Sequence, residues 1–173
     1  MKYFLAFFLV IPAITQAYDA MDCVNDAVKV YSKFNNGLVT RLCKNASNSE
    51  PAKCFRDISA VDDSITVGIS VDVCSGTTNA SKTVDCYGKA WSAGLNRGQA
   101  KRLCAGASSL EPLKCYANID KVDKDIIVGI ATDVCAGSTN ADRTIDCYSK
   151  AASTMNRGLA TTLCSAKAKE EQN

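Results

Sequence analysis

Apolar residues recur along the chain in short helical patterns, each anchored to a cysteine. We count the ten cysteines in order along the chain, so that the odd-numbered ones are the first, third, fifth, seventh and ninth. An apolar residue stands four positions after each odd-numbered cysteine: Ala27, Ile58, Ala90, Ile119 and Ala151. A spacing of four places two side chains on one face of a helix. Another apolar residue stands directly before every even-numbered cysteine: Leu42, Val73, Leu103, Val134 and Leu163. No stretch shows the two-residue alternation of a strand, so the pattern predicts an all-α fold of paired short helices.

Residues that start and stop helices agree with this pattern. Pro51 and Pro112 stand where a first helical turn begins, and Asn79 and Asn140 are suited to cap other helices. Two residues beyond the first four even-numbered cysteines stand residue types that accept a left-handed backbone: Asn45, Gly76, Gly106 and Gly137. Each pair of helices is therefore predicted to form a helical hairpin.

The cysteine spacing divides the chain into five such hairpins. Ten cysteines are separated by long intervals of 17 to 20 residues that alternate with short intervals of 11 or 12. Repeats of this kind stack on their neighbours, so we expect a short solenoid-like array. The predicted domain spans residues 18–173, with a polar tail at 167–173 and hairpins at approximately 20–46, 51–76, 82–106, 112–137 and 143–166.

Two kinds of hairpin alternate along this array. The first, third and fifth contain Asn-X-Gly, whereas the second and fourth contain Val-Asp-Asp at 61–63 and Val-Asp-Lys at 122–124. Equivalent cysteines, such as Cys43 and Cys104, are 61 residues apart. The repeat is therefore a double hairpin, as duplication of a hairpin pair would produce.

The N-terminal residues 1–17 have the features of a cleaved secretory signal. Lys2 supplies a positive charge, residues 4–13 form an apolar run, and small residues precede a cleavage site after Ala17. This run is about half of the roughly 20 residues that span a bilayer, and no later segment is as long and apolar. We expect a secreted or periplasmic protein whose mature chain has no transmembrane segment.

An even number of cysteines in an exported chain favours disulfides, and no C-x-x-C motif of zinc or redox sites is present. Pairing across the short intervals would leave Cys23 and Cys164 unpaired. Pairing within hairpins uses every cysteine. The bonds can also form, because both partners lie at the base of one hairpin. We favour this second pattern, which joins Cys23 with Cys43, Cys54 with Cys74, Cys86 with Cys104, Cys115 with Cys135, and Cys147 with Cys164.

A glycine stands six residues before each even-numbered cysteine: Gly37, Gly68, Gly98, Gly129 and Gly158. Glycine in a helix costs about 0.5–1 kcal/mol relative to alanine, so this regularity calls for a reason. The favoured explanation is close approach of a neighbouring helix backbone. The alternative is a ligand groove lined by glycines.

Charges also change sign between successive hairpins. One series precedes the odd-numbered cysteines: Asp22, Lys53, Asp85, Lys114 and Asp146. Another stands two residues before the even-numbered cysteines: Arg41, Asp72, Arg102 and Asp133, with Thr162 in the last hairpin. If the hairpins stack in order, the two series predict two ladders of ion pairs between neighbours; the alternative is that the charges are only solvated.

The composition narrows the chemistry. The chain has no histidine, and its 20 basic and 18 acidic residues give a formal net charge of +2. It therefore lacks the commonest metal ligand and general base, and has no electrostatic reason to bind nucleic acid. Asp62, Asp63, Asp123 and Asp125 are the possible catalytic acids, but their place before a second helix favours a capping role. We expect no enzymatic activity, no metal and no cofactor.

Stacked hairpin repeats most often present binding surfaces. The candidate contact residues are the single tryptophan and the tyrosines beside odd-numbered cysteines: Trp91, Tyr87, Tyr116 and Tyr148. For the tyrosines, the alternative is core packing with the hydroxyl at the rim. We interpret the protein as a monomeric binding or structural module for an unknown protein or surface polymer. Two alternatives are a carrier of a small apolar ligand in a groove between helix rows, and a small secreted hydrolase or inhibitor.

Overall fold

The computed structural model describes residues 17–166, which form ten α-helices and contain no β-strand. The helices are α1 (Ala20–Val30), α2 (Asn36–Cys43), α3 (Glu50–Asp57), α4 (Val67–Cys74), α5 (Ala80–Ser92), α6 (Arg97–Cys104), α7 (Glu111–Tyr116), α8 (Val128–Cys135), α9 (Ala141–Ala152) and α10 (Arg157–Cys164). Consecutive helices pair into hairpins, which we number 1 to 5. The predicted all-α array of five hairpins is confirmed.

Five disulfides join the first helix of each hairpin to the second. They link Cys23 with Cys43, Cys54 with Cys74, Cys86 with Cys104, Cys115 with Cys135, and Cys147 with Cys164. The paired Cα atoms are 5.5–5.7 Å apart, within the usual range for a disulfide. The pairing within hairpins is the observed one, and pairing across the short intervals is wrong.

The hairpins stack so that their helices form two rows. Helices α1, α3, α5, α7 and α9 pack against one another in order, and α2, α4, α6, α8 and α10 form the second row. Because every disulfide joins one row to the other, the sulfur atoms occupy the space between the rows. Large buried side chains fill the rest of this core, among them Leu42, Tyr87, Leu103 and Tyr148.

The predicted helix ends are also found. Asn79 and Asn140 accept hydrogen bonds from backbone N–H groups at the starts of α5 and α9, and the two prolines lie in the first turns of α3 and α7. All four predicted left-handed residues have a φ between 60° and 71°: Asn45, Gly76, Gly106 and Gly137. A short 3₁₀ turn after α3 (Ile58–Ala60) and after α7 (Ile119–Lys121) was not predicted. Hairpins 2 and 4 therefore have a longer connection between their helices.

The close-approach explanation for the five repeated glycines is wrong. A Cβ atom on Gly68 or Gly129 would meet no atom within 4 Å. On the other three it would meet only the side-chain oxygen of the asparagine that caps the same helix, at 3.3–3.4 Å. These glycines begin the second helices and face open space, because the neighbouring helix packs elsewhere. In hairpins 1, 3 and 5 they leave the cap uncrowded; nothing in the structure explains Gly68 and Gly129.

Residues 1–16 and 167–173 lie outside the described part of the chain. The secretory signal, its cleavage after Ala17 and the polar tail therefore stay predictions. Between residues 17 and 166, no helix is both long and apolar enough to cross a membrane. All ten cysteines are in disulfides, which is consistent with an extracellular or otherwise oxidising compartment.

We predict that the number of hairpins that unfold after a disulfide is removed depends on the position of its hairpin in the array. Replacing Cys147 and Cys164 by serine opens a loop of 17 residues, and replacing Cys86 and Cys104 opens one of 18. Each loss should cost about 3 kcal/mol in the chain-entropy model. Hairpin 5 has one neighbour and hairpin 3 has two, so amide hydrogen exchange should rise only in hairpin 5 for the first variant, and in hairpins 2 to 4 for the second. An equal rise along the whole chain in both variants would contradict this.

Candidate functional site

A buried carboxylate joins hairpin 2 to hairpin 3. Asp62 follows the 3₁₀ turn of hairpin 2 and is 4% exposed. Its two oxygens accept hydrogen bonds from Nε and Nη2 of Arg97, both at 2.7 Å, and one of them also accepts from the Tyr87 hydroxyl at 2.9 Å. Arg97 begins α6 and Tyr87 lies in α5, so one carboxylate holds both helices of the next hairpin. We call these three residues the Asp62 cluster.

The same arrangement recurs between hairpins 4 and 5, with the aspartate and tyrosine 61 residues later and the arginine 60 residues later. Asp123 accepts hydrogen bonds from Arg157 at 2.5 and 2.6 Å and from the Tyr148 hydroxyl at 2.9 Å. This second set is the Asp123 cluster. The two clusters explain why two kinds of hairpin alternate, since even hairpins supply the aspartate and odd hairpins supply the arginine and tyrosine. Hairpin 1 has no earlier hairpin to bind in the described array, and Asn36 stands where the arginine would be.

Charge and burial fix the protonation of both clusters. The Arg97 guanidinium lowers the pKa of Asp62 to about 2, and Arg157 likewise lowers the pKa of Asp123. Burial, together with the hydrogen bond to Asp123, raises the pKa of Tyr148 to about 12, and the same causes raise the pKa of Tyr87. Near neutral pH the carboxylates are ionised acceptors and the tyrosines are protonated donors. Neither aspartate is poised to exchange a proton.

The capping role expected for the aspartates is wrong for Asp62 and Asp123. Helix α4 begins at Val67 and is capped by Thr66, while α8 begins at Val128 without a side-chain cap. The 3₁₀ turn and the loop after it place the aspartates several residues earlier, where they face the next hairpin. Sequence reasoning missed their partners, although Arg97 and Arg157 appear only in hairpins that follow an aspartate-bearing one.

The candidate contact residues fall into two groups. Tyr87 and Tyr148 are fully buried, so their assignment to a contact surface is wrong: each ring fills the core while its hydroxyl binds an aspartate of the preceding hairpin. Tyr116 is half-buried and packs against the core. Trp91 is also half-buried, and the Cζ atom of Arg97 lies 4.7 Å from the centre of its ring. A contact role stays a prediction for Trp91 and Tyr116.

One of the two predicted charge ladders is present. Arg41 pairs with Asp72 and Arg102 pairs with Asp133, each at 3.1 Å across successive hairpins. Lys101, and not its neighbour Arg102, completes the step from hairpin 3 back to Asp72. Members of the other series bind residues outside it: Lys53 binds Glu50, Asp85 binds Lys89, Lys114 binds Asp142, and Asp146 binds Lys150. That second ladder is therefore wrong, because closer partners on the same helix or the next one compete.

The last hairpin exposes positions that the other four bury. Leu163 is 57% exposed, whereas its counterparts are fully buried: Leu42, Val73, Leu103 and Val134. Leu159, one turn earlier, is 57% exposed, and Cys147 is half-buried although the four equivalent cysteines are fully buried. Thr162 replaces the arginine that would pair with a following hairpin. We call Cys147, Leu159 and Leu163 the end face.

An open pocket lies beside the Asp123 cluster. It has a volume of about 830 Å³ and is lined by residues of hairpins 4 and 5, among them Val122, Asp123, Ser149, Ala152, Met155 and Arg157. Ala152 occupies the position that corresponds to Trp91 in hairpin 3, 61 residues earlier. The tryptophan that partly covers Arg97 therefore has no counterpart over Arg157. We call this the Arg157 pocket.

Comparison of the chain with models of protein families, with curated proteins and with solved structures finds no significant match. Across residues 17–166, no three cysteine, aspartate or glutamate side chains are grouped so as to hold a metal ion.

We predict that Asp62→Asn removes an acid-sensitive part of the stability. Because folding lowers the pKa of Asp62, its stabilisation is complete above the unfolded value of 3.8 and is lost as the pH falls towards 2. The variant should lose about 2 kcal/mol at pH 7 and keep a flatter stability profile between pH 4 and pH 2, measured by urea unfolding with the disulfides intact. Asp63→Asn is the matched control, since Asp63 is exposed. Equal losses in the two variants, or an unchanged acid slope in Asp62→Asn, would contradict this role.

Proposed function

We propose that the protein is a non-enzymatic binding module, secreted or periplasmic, whose end face contacts another protein. The observation that carries this proposal is the exposure of Leu163 at a position that is fully buried in every other hairpin. Contiguous apolar surface on a folded protein marks interaction sites. In the other four hairpins the equivalent residue is buried in the array, and in hairpin 5 the partner protein covers it instead.

Exposed apolar residues also lie at the start of the helix that packs against α10. Helix α8 begins at Val128, which is exposed, and Ile127 directly before it is 65% exposed. The exposed charged residues of α9 have both signs. They include Asp142, Asp146 and Lys150, all of which are largely exposed. An apolar surface with mixed charges favours a protein partner over a highly charged polymer.

The two aspartates stay ionised near neutral pH, and this supports a role without catalysis. Asp62 and Asp123 hold neighbouring hairpins together, and a general acid or base needs a carboxylate that can gain and lose its proton near neutral pH. The two clusters also have the same structural role at two different steps of the array. Such recurrence is typical of residues that hold repeats together.

A carrier of apolar ligands is the weaker candidate. Such a carrier needs an apolar cavity between the helix rows. In residues 17–166 the space between the rows contains the five disulfides together with the buried rings of Tyr87 and Tyr148. The core is therefore occupied where a carried ligand would sit.

We predict that Leu163→Ser changes binding without changing stability. Because Leu163 is more than half exposed, the free energy of unfolding should stay within about 0.5 kcal/mol of wild type. The matched control is Leu103→Ser at the equivalent buried position, which should lose about 3 kcal/mol or more. Urea unfolding measures both values. A comparable loss in the two variants would show that Leu163 is part of the folded core.

Photo-crosslinking tests the partner. A benzophenone amino acid at position 163 should give one discrete product of higher mass in the natural secreted material, and the same group at exposed position 33 should not. Leu159→Asp should abolish the product, because a charge then faces the apolar partner. A product with the mass of two copies of this chain, or the same products from both positions, would overturn the proposal.

A further inference from the structure

The two halves of the repeat share one ion-pair cluster but differ in the residues around it. Asp62 and Asp123 make the same hydrogen bonds to an arginine and a tyrosine of the next hairpin. In hairpin 3 the arginine stacks on Trp91, and in hairpin 5 the equivalent residue is Ala152. The chain therefore contains a filled and an unfilled version of one site.

Exposure follows this difference. The side chain of Arg97 is 30% exposed and that of Asp62 is 1% exposed, whereas the values for Arg157 and Asp123 are 44% and 13%. Both members of the ion pair are thus more exposed in the cluster that has no indole ring over its arginine. The Arg157 pocket, with its volume of about 830 Å³, occupies this position between hairpins 4 and 5.

A second replacement separates the pocket walls. A Cβ atom on Gly88 would lie 3.0 Å from Cβ of Val61, so the loop of hairpin 2 packs directly on α5 in the filled site. The equivalent of Gly88 is Ser149, which has a side chain, and the equivalent of Val61 is Val122. Val122 therefore cannot approach α9 as closely as Val61 approaches α5. Both residues line the Arg157 pocket.

The pair with Asp123 leaves the flat face of Arg157 unused. Its Nε and Nη2 atoms point at the two oxygens of Asp123, and these bonds use the edge of the guanidinium plane. A guanidinium held in this way offers its face to an aromatic ring, as Arg97 does to Trp91. Because Asp123 balances the charge of Arg157, the site does not call for an anionic ligand. Ala152 and Met155 supply apolar contacts at the walls.

We infer that the Arg157 pocket binds a flat, uncharged aromatic ring, in the position that Trp91 occupies in hairpin 3. The ring belongs either to a free small molecule or to an aromatic side chain of a partner protein. This inference does not depend on the end face.

Indole is the direct probe, since it reproduces the ring of Trp91. Titration of the full chain, followed by nuclear magnetic resonance, should shift the signals of Ala152, Met155 and Ser149 with a stoichiometry of one. Ala152→Trp places an indole in the pocket from within and should reduce this binding at least tenfold. Trp91→Ala should empty the filled site and raise the stoichiometry to two.

Matched variants separate stacking from general packing. Arg157→Lys keeps the charge but loses the flat face, so indole should bind about fivefold more weakly, while Arg97→Lys alters the other cluster and should leave binding unchanged. Cyclohexanemethanol, a ligand of similar size without an aromatic ring, should bind several-fold more weakly than indole. The amide signals of the hairpin that carries each change, and of the hairpins packed against it, report whether each variant remains folded there.

A parallel titration distinguishes the two sources of the ring. A capped Gly-Trp-Gly peptide that binds as well as indole assigns the pocket to a partner's side chain, and binding of indole alone assigns it to a free molecule. Leu163→Ser should bind indole like the wild type, which keeps this test separate from that of the end face. No binding by the wild type, unchanged binding in Ala152→Trp, or equal binding of cyclohexanemethanol would overturn the inference.

Discussion

Helices of eight residues do not persist alone in water, because the cost of starting a helix is recovered only over a longer run. Six of the ten helices between residues 17 and 166 have this length, and α7 is shorter still. The constraint that makes them viable is the disulfide at the foot of each hairpin. It closes a loop of 17 to 20 residues and restricts the unfolded chain. The rest of the structure depends on these five closures, since a hairpin has to exist before it can stack.

Stacking uses a different set of interactions, and they are unequal. The steps from an odd to an even hairpin are marked by exposed pairs such as Arg41 with Asp72, which contribute little to stability. The steps from an even to an odd hairpin contain the buried Asp62 and Asp123 clusters, in which one carboxylate holds two helices of the next hairpin. These buried clusters recur at every second step, and this gives the 61-residue period its physical meaning.

The sequence predicts what is local and misses what is distant. Disulfide pairing, the two prolines in first turns, the asparagine caps and the left-handed residues depend on neighbours along the chain, and the structure has all of these as expected. Asp62 and Arg97 are 35 residues apart, and the aspartate resembles a helix cap until the 3₁₀ turn before it is known. The expectation that a neighbouring helix approaches the repeated glycines failed for a related reason. Their spacing is regular because each begins a second helix, and regular spacing alone does not show what a missing side chain faces.

Departures from the repeat are more informative about function than the repeat itself. Apart from the repeated glycines, the positions that every hairpin shares are explained by the disulfide within each hairpin and by packing between hairpins. Hairpin 5 is where Ala152 stands for Trp91, Thr162 stands for Arg102 and Leu163 is exposed at a position buried elsewhere. The first change uncovers the guanidinium of Arg157, and the other two leave an apolar surface without the charge that would pair with a following hairpin. Packing between the described hairpins requires none of these three features, and the proposed contacts are placed on them for that reason.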